Sequence, residues 1–239
     1  MPLVSIIIPV RDRADVLRKS LRTLLAQTMK DLEVFVVSDD CPEDVAGVVT
    51  EFRGQLNINY EKQVHAGGPV ARNRGFDRST GKYVIFWDAD LMAEPTMIER
   101  LIQAIEKSNA DFAYPDYKFG KHLMQARKFD AQALRERNYI HSSALIRRES
   151  LLRLEIRWDT TIKKFQDWDL WLMFTEKGAV GVHVPEVLYA LEDTGVISRW
   201  MPSFSYKWPF KFLPMWRERV KKYEEARRVI AKKHGLVLR

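Results

Sequence analysis

The first half of the chain alternates between apolar runs and segments of helical periodicity. Residues 3–9, 32–38 and 83–87 are β-branched and apolar, with the length of buried strands, and shorter runs follow at 56–60 and 111–114. Between them apolar residues recur at helical spacing, as Leu17, Leu21 and Leu24 do. Strands that are covered on both faces and joined through helices are typical of parallel sheets. The alternation therefore predicts an α/β fold with a mostly parallel central sheet flanked by helices.

The second half of the chain is less regular. Helices are predicted at 131–137, 149–152 and 167–177, and strands at 142–146, 180–184 and 187–190. An aromatic and proline-rich stretch after residue 198 leads into a helix with one apolar stripe, formed by Leu213, Trp216, Val220, Tyr223 and Ile230. We therefore expect one domain over residues 1–198, with halves that meet near residue 115, and a basic, aromatic helical extension over 199–239.

The net charge of +7 comes from the end of the chain. Residues 207–239 hold 11 basic and three acidic side chains, whereas the rest holds 28 basic and 29 acidic ones. A body without excess basic charge is not typical of nucleic-acid binding, so no nucleic-acid partner is expected. The tail leaves two interpretations open: its apolar stripe packs onto the body, or its aromatic and basic residues attach it to an anionic membrane.

The chain is expected in the cytoplasm, either free or associated with the inner face of the membrane. Its first residues lack the basic region of a signal peptide, and no stretch approaches the roughly 20 apolar residues that span a bilayer. The single cysteine, Cys41, excludes an internal disulfide and a cysteine-based metal site, in agreement with a reducing compartment.

Acidic residues follow two of the predicted strands. Asp39 and Asp40 follow the strand at 32–38, and Asp88-Ala89-Asp90 follows the strand at 83–87. In open α/β sheets ligands bind beyond the carboxyl ends of the strands, and hard cations such as Mg²⁺ take carboxylate and phosphate oxygens. Two carboxylates separated by one small residue therefore favour a divalent cation shared with a diphosphate. Either cluster alone is equally consistent with turn and cap residues.

Two further motifs carry candidate site residues. A glycine turn at 67–68 runs into a helix with Arg72 and Arg74, and both a helix N-terminus and a guanidinium favour phosphate or base oxygens. Such a turn taken alone is more often structural. Asp167 and Asp169 lie beside tryptophans at the start of a predicted helix. Asp167 either caps that helix or, in a partly apolar cleft, has the raised proton affinity of a catalytic base.

In order and spacing these motifs resemble glycosyltransferase family 2. The similarity covers roughly residues 3–190 and is carried by VSIIIPV at 4–10, QT at 27–28, EVFVVSDD at 33–40, ARNRG at 71–75, WDAD at 87–90 and QDWDLWL at 166–172. It implies the Rossmann-like GT-A fold, with a nucleotide-binding half over about 1–115 and an acceptor half over 116–198. It also implies inverting transfer from a nucleotide-diphosphate sugar, foremost a UDP-sugar, to a glycan or lipid-linked acceptor, with Mn²⁺ or Mg²⁺.

The resemblance further implies roles for individual residues. Asp167 is the implied catalytic base, and Asp90, with Asp88, holds the metal. The residues implied at the donor nucleotide are Pro9, Val10, Asp12, Asp39, Arg72, Asp88 and Ala89, and the segment His141-Ser142-Ser143 falls where the family often lines its donor-sugar pocket.

Some segments depart from the family pattern. Arg11-Asp12 replaces the usual Tyr-Asn or Arg-Asn, and residues 189–192 lack the Tyr-Arg-x-His of many relatives, which leaves a metal or diphosphate contact there open. The Gln-x-x-Arg-Trp signature of processive synthases is missing, so one sugar per encounter is expected.

Two rival functions share this framework. A catalytically idle sugar-nucleotide-binding or assembly protein would have the same fold, but the retention of Asp90 and Asp167 argues against it. A sugar nucleotidyltransferase would have a glycine-rich first turn, which residues 9–12 do not form.

Overall fold

A computed structural model of the chain describes residues 2–192 and 214–237. Its strands are β1 (Val4–Val10), β2 (Leu32–Asp39), β3 (Ile58–Gln63), β4 (Tyr83–Phe86), β5 (Leu91–Ala93), β6 (Phe112–Phe119), β7 (His122–Met124), β8 (Leu145–Arg147) and β9 (Gly181–Leu191). Its helices are α1 (Ala14–Leu25), α2 (Val45–Phe52), α3 (Gly68–Arg78), α4 (Met97–Ser108), α5 (Ala131–Glu136), α6 (Arg148–Arg153), α7 (Gln166–Glu176) and α8 (Pro214–His234).

The described strands form one sheet in the order β3-β2-β1-β4-β8-β6-β9-β5, with β7 paired to β6. The first four strands are parallel, since β1 pairs with β2 and β4, and β2 pairs with β3. Beyond them the sheet is mixed: β8 runs antiparallel to both β4 and β6, whereas β6 and β9 are parallel. The predicted α/β sheet is therefore confirmed. Its parallel part is formed by the strands that alternate with helices in the first half of the chain.

The second half differs in detail from the prediction. The two strands expected at 180–184 and 187–190 are one strand, β9, whose pairing with β6 shifts register at Pro115 and Asp116. Pro185 lies at this shift, and because proline has no N–H to donate, it interrupts the ladder without ending the strand. The three-residue strands β5 and β7 were not predicted, because such short segments show no periodicity.

Two apolar clusters cover the two faces of the sheet. Along β1, Ile6 and Ile8 belong to one cluster and Ile7 to the other, as the alternation of side chains along a strand requires. Helix α3 lies very close to β1, since a Cβ on Gly75 would be 2.5 Å from Cγ2 of Ile7. Only glycine allows this approach, which brings the preceding helical turn, with Arg72, close to the sheet.

The basic helix α8 packs against the body beside α7. Val220 and Ile230 are buried, and the ring of Tyr223 meets Phe165 edge-on at 5.1 Å. Among the described residues, this helix and all others are too short or too polar to cross a bilayer. The predicted boundary at 198/199, the aromatic stretch after it, Leu213 and the side chain of Trp216 lie outside what the structure describes.

A buried histidine joins the end of α8 to α7. His234 Nε2 lies 2.8 Å from Asp169 and its Nδ1 lies 2.9 Å from Glu176. Lys233 is 2.7 Å from Asp169, and Arg135 of α5 is 3.6 Å from Glu176. Burial favours the neutral ring, but hydrogen bonds to both carboxylates outweigh it and raise the pKa of His234 above its ordinary value of 6.5.

We expect His234→Leu to lower the free energy of unfolding by about 2 kcal/mol, because a buried carboxylate that loses a donor costs roughly 1–3 kcal/mol. The contribution of the charged ring is fully present below its unfolded-state pKa of about 6.5 and is lost as the pH rises through its higher folded-state pKa. Urea unfolding at about pH 6 and about pH 9 measures this, and the difference from wild type should shrink at the higher pH. Lys232→Leu, on the exposed face, is the control. A deficit equal at both pH values would contradict the prediction.

Candidate active site

The carboxyl ends of β1, β2 and β4 lie at one edge of the sheet. In the parallel register Val10 of β1 pairs with Ser38 of β2, and Ile7 pairs with Phe86 of β4. The segments that follow these strands therefore leave the sheet side by side. Asp39 is the last residue of β2, and Asp88 and Asp90 follow β4, as predicted from the acidic residues at the strand ends.

Asp88 is held by three side chains at this edge. It accepts hydrogen bonds from Arg72 at 2.9 Å and from the Ser142 hydroxyl at 3.3 Å, and His141 Nε2 lies 3.4 Å away. Burial opposes its charge, but Arg72 and His141 outweigh burial and hold the pKa of Asp88 below its ordinary value. Asp88 is therefore an ionised centre that joins β4 to the segment before β8.

Arg72 links Asp88 to the start of α7. Its Nη1 lies 3.3 Å from Gln166 Oε1, and its guanidinium stacks 4.6 Å from the ring centre of Trp158. The neighbouring Asn73 exchanges two hydrogen bonds with the backbone of Trp158, at 2.8 and 3.0 Å. The Arg-Asn pair on α3 thus fixes the segment that leads into α7, and Arg72 Nε is buried without a described partner.

Asp167 lies in the first turn of α7, close enough to Asp88 and His141 for their charges to affect it. Its Oδ2 accepts from Asn138 at 2.8 Å and its Oδ1 accepts from the Trp168 N–H at 2.9 Å. Burial raises the pKa of Asp167 above its ordinary value, and the charge of Asp88 adds to this against the opposing effect of His141. A half-buried carboxylate with raised proton affinity has the property that base catalysis requires.

Asp90 faces a cation of the protein itself. Arg13 Nη1 lies 2.7 Å from Asp90 Oδ2, and both side chains are about four-fifths buried. Burial, followed by the charge of Asp88, raises the pKa of Asp90. Arg13 was not identified from the sequence, whereas its neighbour Asp12, which was, is exposed on the loop after β1. The only indication of Arg13 in the sequence was its position directly after the predicted site residue Asp12.

The comparisons with known proteins agree with this geometry. A sequence model described as "Glycosyl transferase family 2" matches residues 5–122. The chain belongs to this family. It is 33% identical over 111 residues to the uncharacterized glycosyltransferase YibD of Escherichia coli strain K12. The matched segment covers 46% of this chain and 32% of YibD. The chain spans between 16% and 32% of the length of YibD and two further curated relatives.

Two solved structures confirm the predicted GT-A fold of this family 2 chain. Residues 1–349 of S. aureus TarS in complex with UDP-GlcNAc superpose with a TM-score of 0.73 at 16% identity, over 96% of this chain and 65% of that one. The mannosyltransferase PcManGT from Pyrobaculum calidifontis, in complex with GDP-Man and Mn²⁺, gives a TM-score of 0.63 at 18% identity, over 79% and 56% of the two chains.

In this family 2 chain Asp39 forms a separate cluster at the end of β2. It accepts from Gln63 Nε2 at 2.8 Å, from the N–H of Ala66 at 2.7 Å and from the N–H of Gly67 at 3.0 Å. His65 Nδ1 lies 2.8 Å from it. Burial opposes ionisation, but these hydrogen bonds outweigh it and lower the pKa of Asp39. Both carboxylate oxygens thus have protein partners in this arrangement.

The remaining predicted nucleotide contacts lie at the same edge. Val10 is buried, and Pro9 and Ala89 are half-buried, next to the carboxylates that follow β2 and β4. Their contact with a donor nucleotide stays a prediction, as does that of Asp12. The structure brings Asp88, Asp90 and Arg72 together directly.

Three aromatic rings lie together beside Asp88. Tyr117 and Tyr189 stack at 5.0 Å with an angle of 9° between their planes, and His141 lies 5.0 Å from Tyr117. Burial raises the pKa of Tyr117, and the charges of Asp167 and Asp88 add to this. Both tyrosines lie within strands, where an aromatic residue is ordinarily part of the core, so the sequence held no signal for their place here.

The carboxylate pair fits a divalent cation that is shared with a substrate. Asp88 and Asp90 offer hard oxygen ligands. Burial, and after it the charge of Asp88, raises the pKa of Asp90, and a cation would relieve the repulsion between the two carboxylates. In residues 2–192 and 214–237 no three His, Cys, Asp or Glu side chains are grouped so that they could hold a metal. Mg²⁺ bound by one or two carboxylates usually completes its ligands with water and phosphate oxygens.

Proposed function

We propose that the chain is an inverting, metal-dependent glycosyltransferase that moves a sugar from a nucleotide-diphosphate sugar to an acceptor hydroxyl. The observation that carries this proposal is the position of Asp167. Its carboxylate, whose pKa burial raises, lies close enough to Asp88 and His141 for the charges of both to act on it. A proton acceptor beside a pair of carboxylates suited to a cation supplies the two functions that transfer from a diphosphate requires.

The reaction follows from these positions. Asp167 takes the proton of the acceptor hydroxyl as its oxygen attacks the anomeric carbon. The bond between that carbon and the diphosphate oxygen breaks, and the diphosphate leaves with the electron pair on the opposite face. A single displacement of this kind inverts the anomeric configuration. The bound cation would neutralise the charge that develops on the leaving diphosphate, with Asp90 and Asp88 as its protein ligands.

We place the donor nucleotide along the strand ends, at Pro9, Val10, Asp12, Asp39, Arg72, Asp88 and Ala89. The bound nucleotides named for the solved structures are UDP-GlcNAc and GDP-Man, and we take a UDP-sugar as the first candidate. The acceptor is a glycan or lipid-linked sugar in glycan, lipopolysaccharide or exopolysaccharide assembly. We place the protein in the cytoplasm, with α8 as the element for any contact with the inner face of the membrane.

A donor screen by nucleotide release tests the function. The purified chain is incubated with Mn²⁺ and, separately, with UDP-GlcNAc, UDP-glucose and GDP-mannose, and free nucleotide diphosphate is measured. We expect slow hydrolysis of one donor, which a suitable acceptor accelerates. Donor binding without release, in the presence of acceptor mixtures, would instead support a catalytically idle sugar-nucleotide-binding protein.

A further inference from the structure

The loop after β1 directs an arginine at Asp90. Arg13 Nη1 lies 2.7 Å from Asp90 Oδ2, and the exposed fractions of the two side chains are 22% and 19%. Of the two carboxylates, Asp88 is held by Arg72, Ser142 and His141, whereas the only described side chain that pairs with Asp90 is Arg13. The guanidinium of Arg13 therefore neutralises the carboxylate that we expect to bind a divalent cation.

The backbone around Arg13 is fixed in an uncommon conformation. Its φ of 88° lies in the left-handed region, which residues other than glycine rarely adopt. Glu43 holds it there, with Oε1 accepting from the N–H of Arg13 at 2.9 Å and Oε2 accepting from the N–H of Ala14 at 2.5 Å. The loop after β2 thus fixes the loop after β1, so the pairing of Arg13 with Asp90 rests on an anchored backbone.

A guanidinium suits both partners available at this position. It pairs with carboxylates, and it binds phosphate oxygens through the same planar set of donors. A divalent cation at Asp90 would remove the need for Arg13 there and would repel it. The diphosphate of the donor, which the cation itself binds, would then offer the freed guanidinium a new anionic partner.

We propose that Arg13 is an internal counter-ion that competes with the divalent cation for Asp90 and turns to the donor diphosphate when the cation binds. The inference rests on the proposed function. Its consequence is coupling: the cation alone binds weakly because it must displace Arg13, whereas cation and nucleotide bind well together because the displaced arginine gains a partner. Arg13 is then a positioning residue for the donor.

Titration with Mn²⁺ alone tests the competition. Free Mn²⁺ is measured by electron paramagnetic resonance for the wild type and for Arg13→Gln, without nucleotide. We expect Arg13→Gln to bind Mn²⁺ about tenfold more tightly, the change that about 1.4 kcal/mol of removed competition produces. At saturating Mn²⁺ the same variant should bind UDP more weakly than the wild type. Mn²⁺ affinity that is unchanged or lower in Arg13→Gln would overturn the proposal.

Two further variants make the result specific. Arg18→Gln removes an arginine on the exposed side of α1 that pairs with Glu51 at 2.7 Å, and we expect wild-type affinities. Arg13→Lys keeps a positive charge and should keep Mn²⁺ binding weak, which separates lost charge from a disturbed loop. If Arg13→Gln tightens Mn²⁺ binding while the wild type binds no nucleotide sugar, the proposed function fails and the counter-ion stands. If the wild type transfers sugar but Arg13→Gln binds Mn²⁺ with wild-type affinity, the proposed function stands and the counter-ion role of Arg13 fails.

Discussion

Asp167→Asn is expected to abolish sugar transfer while donor binding stays close to that of the wild type. Loss of a positioned general base typically costs about 10²- to 10⁴-fold in rate, and an amide does not accept the acceptor proton. The amide keeps a carbonyl oxygen that can accept from the Trp168 N–H or from Asn138, as the carboxylate does. The turnover number is measured with the donor found by nucleotide release, and UDP affinity by calorimetry.

The same substitution decides between the two interpretations of Asp167. If Asp167 only stabilised the first turn of α7, its replacement would lower the free energy of unfolding and leave the transfer rate unchanged. Asp44→Asn is the matched control, because Asp44 caps α2 through a 2.8 Å hydrogen bond from Gly47 and lies in another loop. We expect that control to transfer sugar at the wild-type rate. Equal losses of turnover and UDP affinity in Asp167→Asn would contradict the role of base.

The sequence was sufficient for the part of the site built on parallel strands. Carboxyl ends of neighbouring parallel strands lie at one edge, so Asp39, Asp88 and Asp90 could be placed there from strand positions alone. Arg72 could be placed from the helix that follows the glycine turn. These predictions needed only the period of the apolar residues, which is strong in buried strands.

The rest of the site depends on packing that periodicity does not encode. Asp167 lies near Asp88 because α7 packs against Phe112 of β6, in the antiparallel part of the sheet. Ser142 and His141 contact Asp88 from the segment before β8. In the sequence Tyr117 cannot be distinguished from an aromatic core residue of a strand, and its place beside Tyr189 follows only from the pairing of β6 with β9. The family resemblance supplied the expectation for His141 and Ser142 and added to the local pattern around Asp167, whereas nothing in the sequence indicated Tyr117.

Arg13 is a further example of this limit. Its side chain reaches Asp90, 77 positions away, because Glu43 fixes a left-handed backbone that no local propensity favours. A contact that depends on three separate loops cannot be derived from any one of them. The exposed neighbour, Asp12, was named instead because it occupies a position that the family resemblance implies at the donor nucleotide.

Asp90→Ala is expected to remove the dependence of nucleotide binding on Mn²⁺. In the wild type we expect Mn²⁺ to raise UDP affinity, within the range of about 5- to 150-fold that is typical of coupled ligands. Without the Asp90 carboxylate the cation loses its principal protein ligand, since Asp88 is already held by Arg72 and His141. The ratio of UDP affinities with Mn²⁺ and with a chelator should therefore fall to about one.

Asp77→Ala is the matched control for this second prediction. Asp77 pairs with Arg157 at 2.5 Å, so its removal also frees an arginine, but on the exposed surface of α3. We expect it to keep the full effect of Mn²⁺ on UDP affinity. Calorimetric titrations of UDP with and without Mn²⁺ provide the four affinities for the two variants. If Mn²⁺ still strengthens UDP binding to Asp90→Ala as it does in the wild type, the cation is held elsewhere and the assignment of Asp90 is wrong.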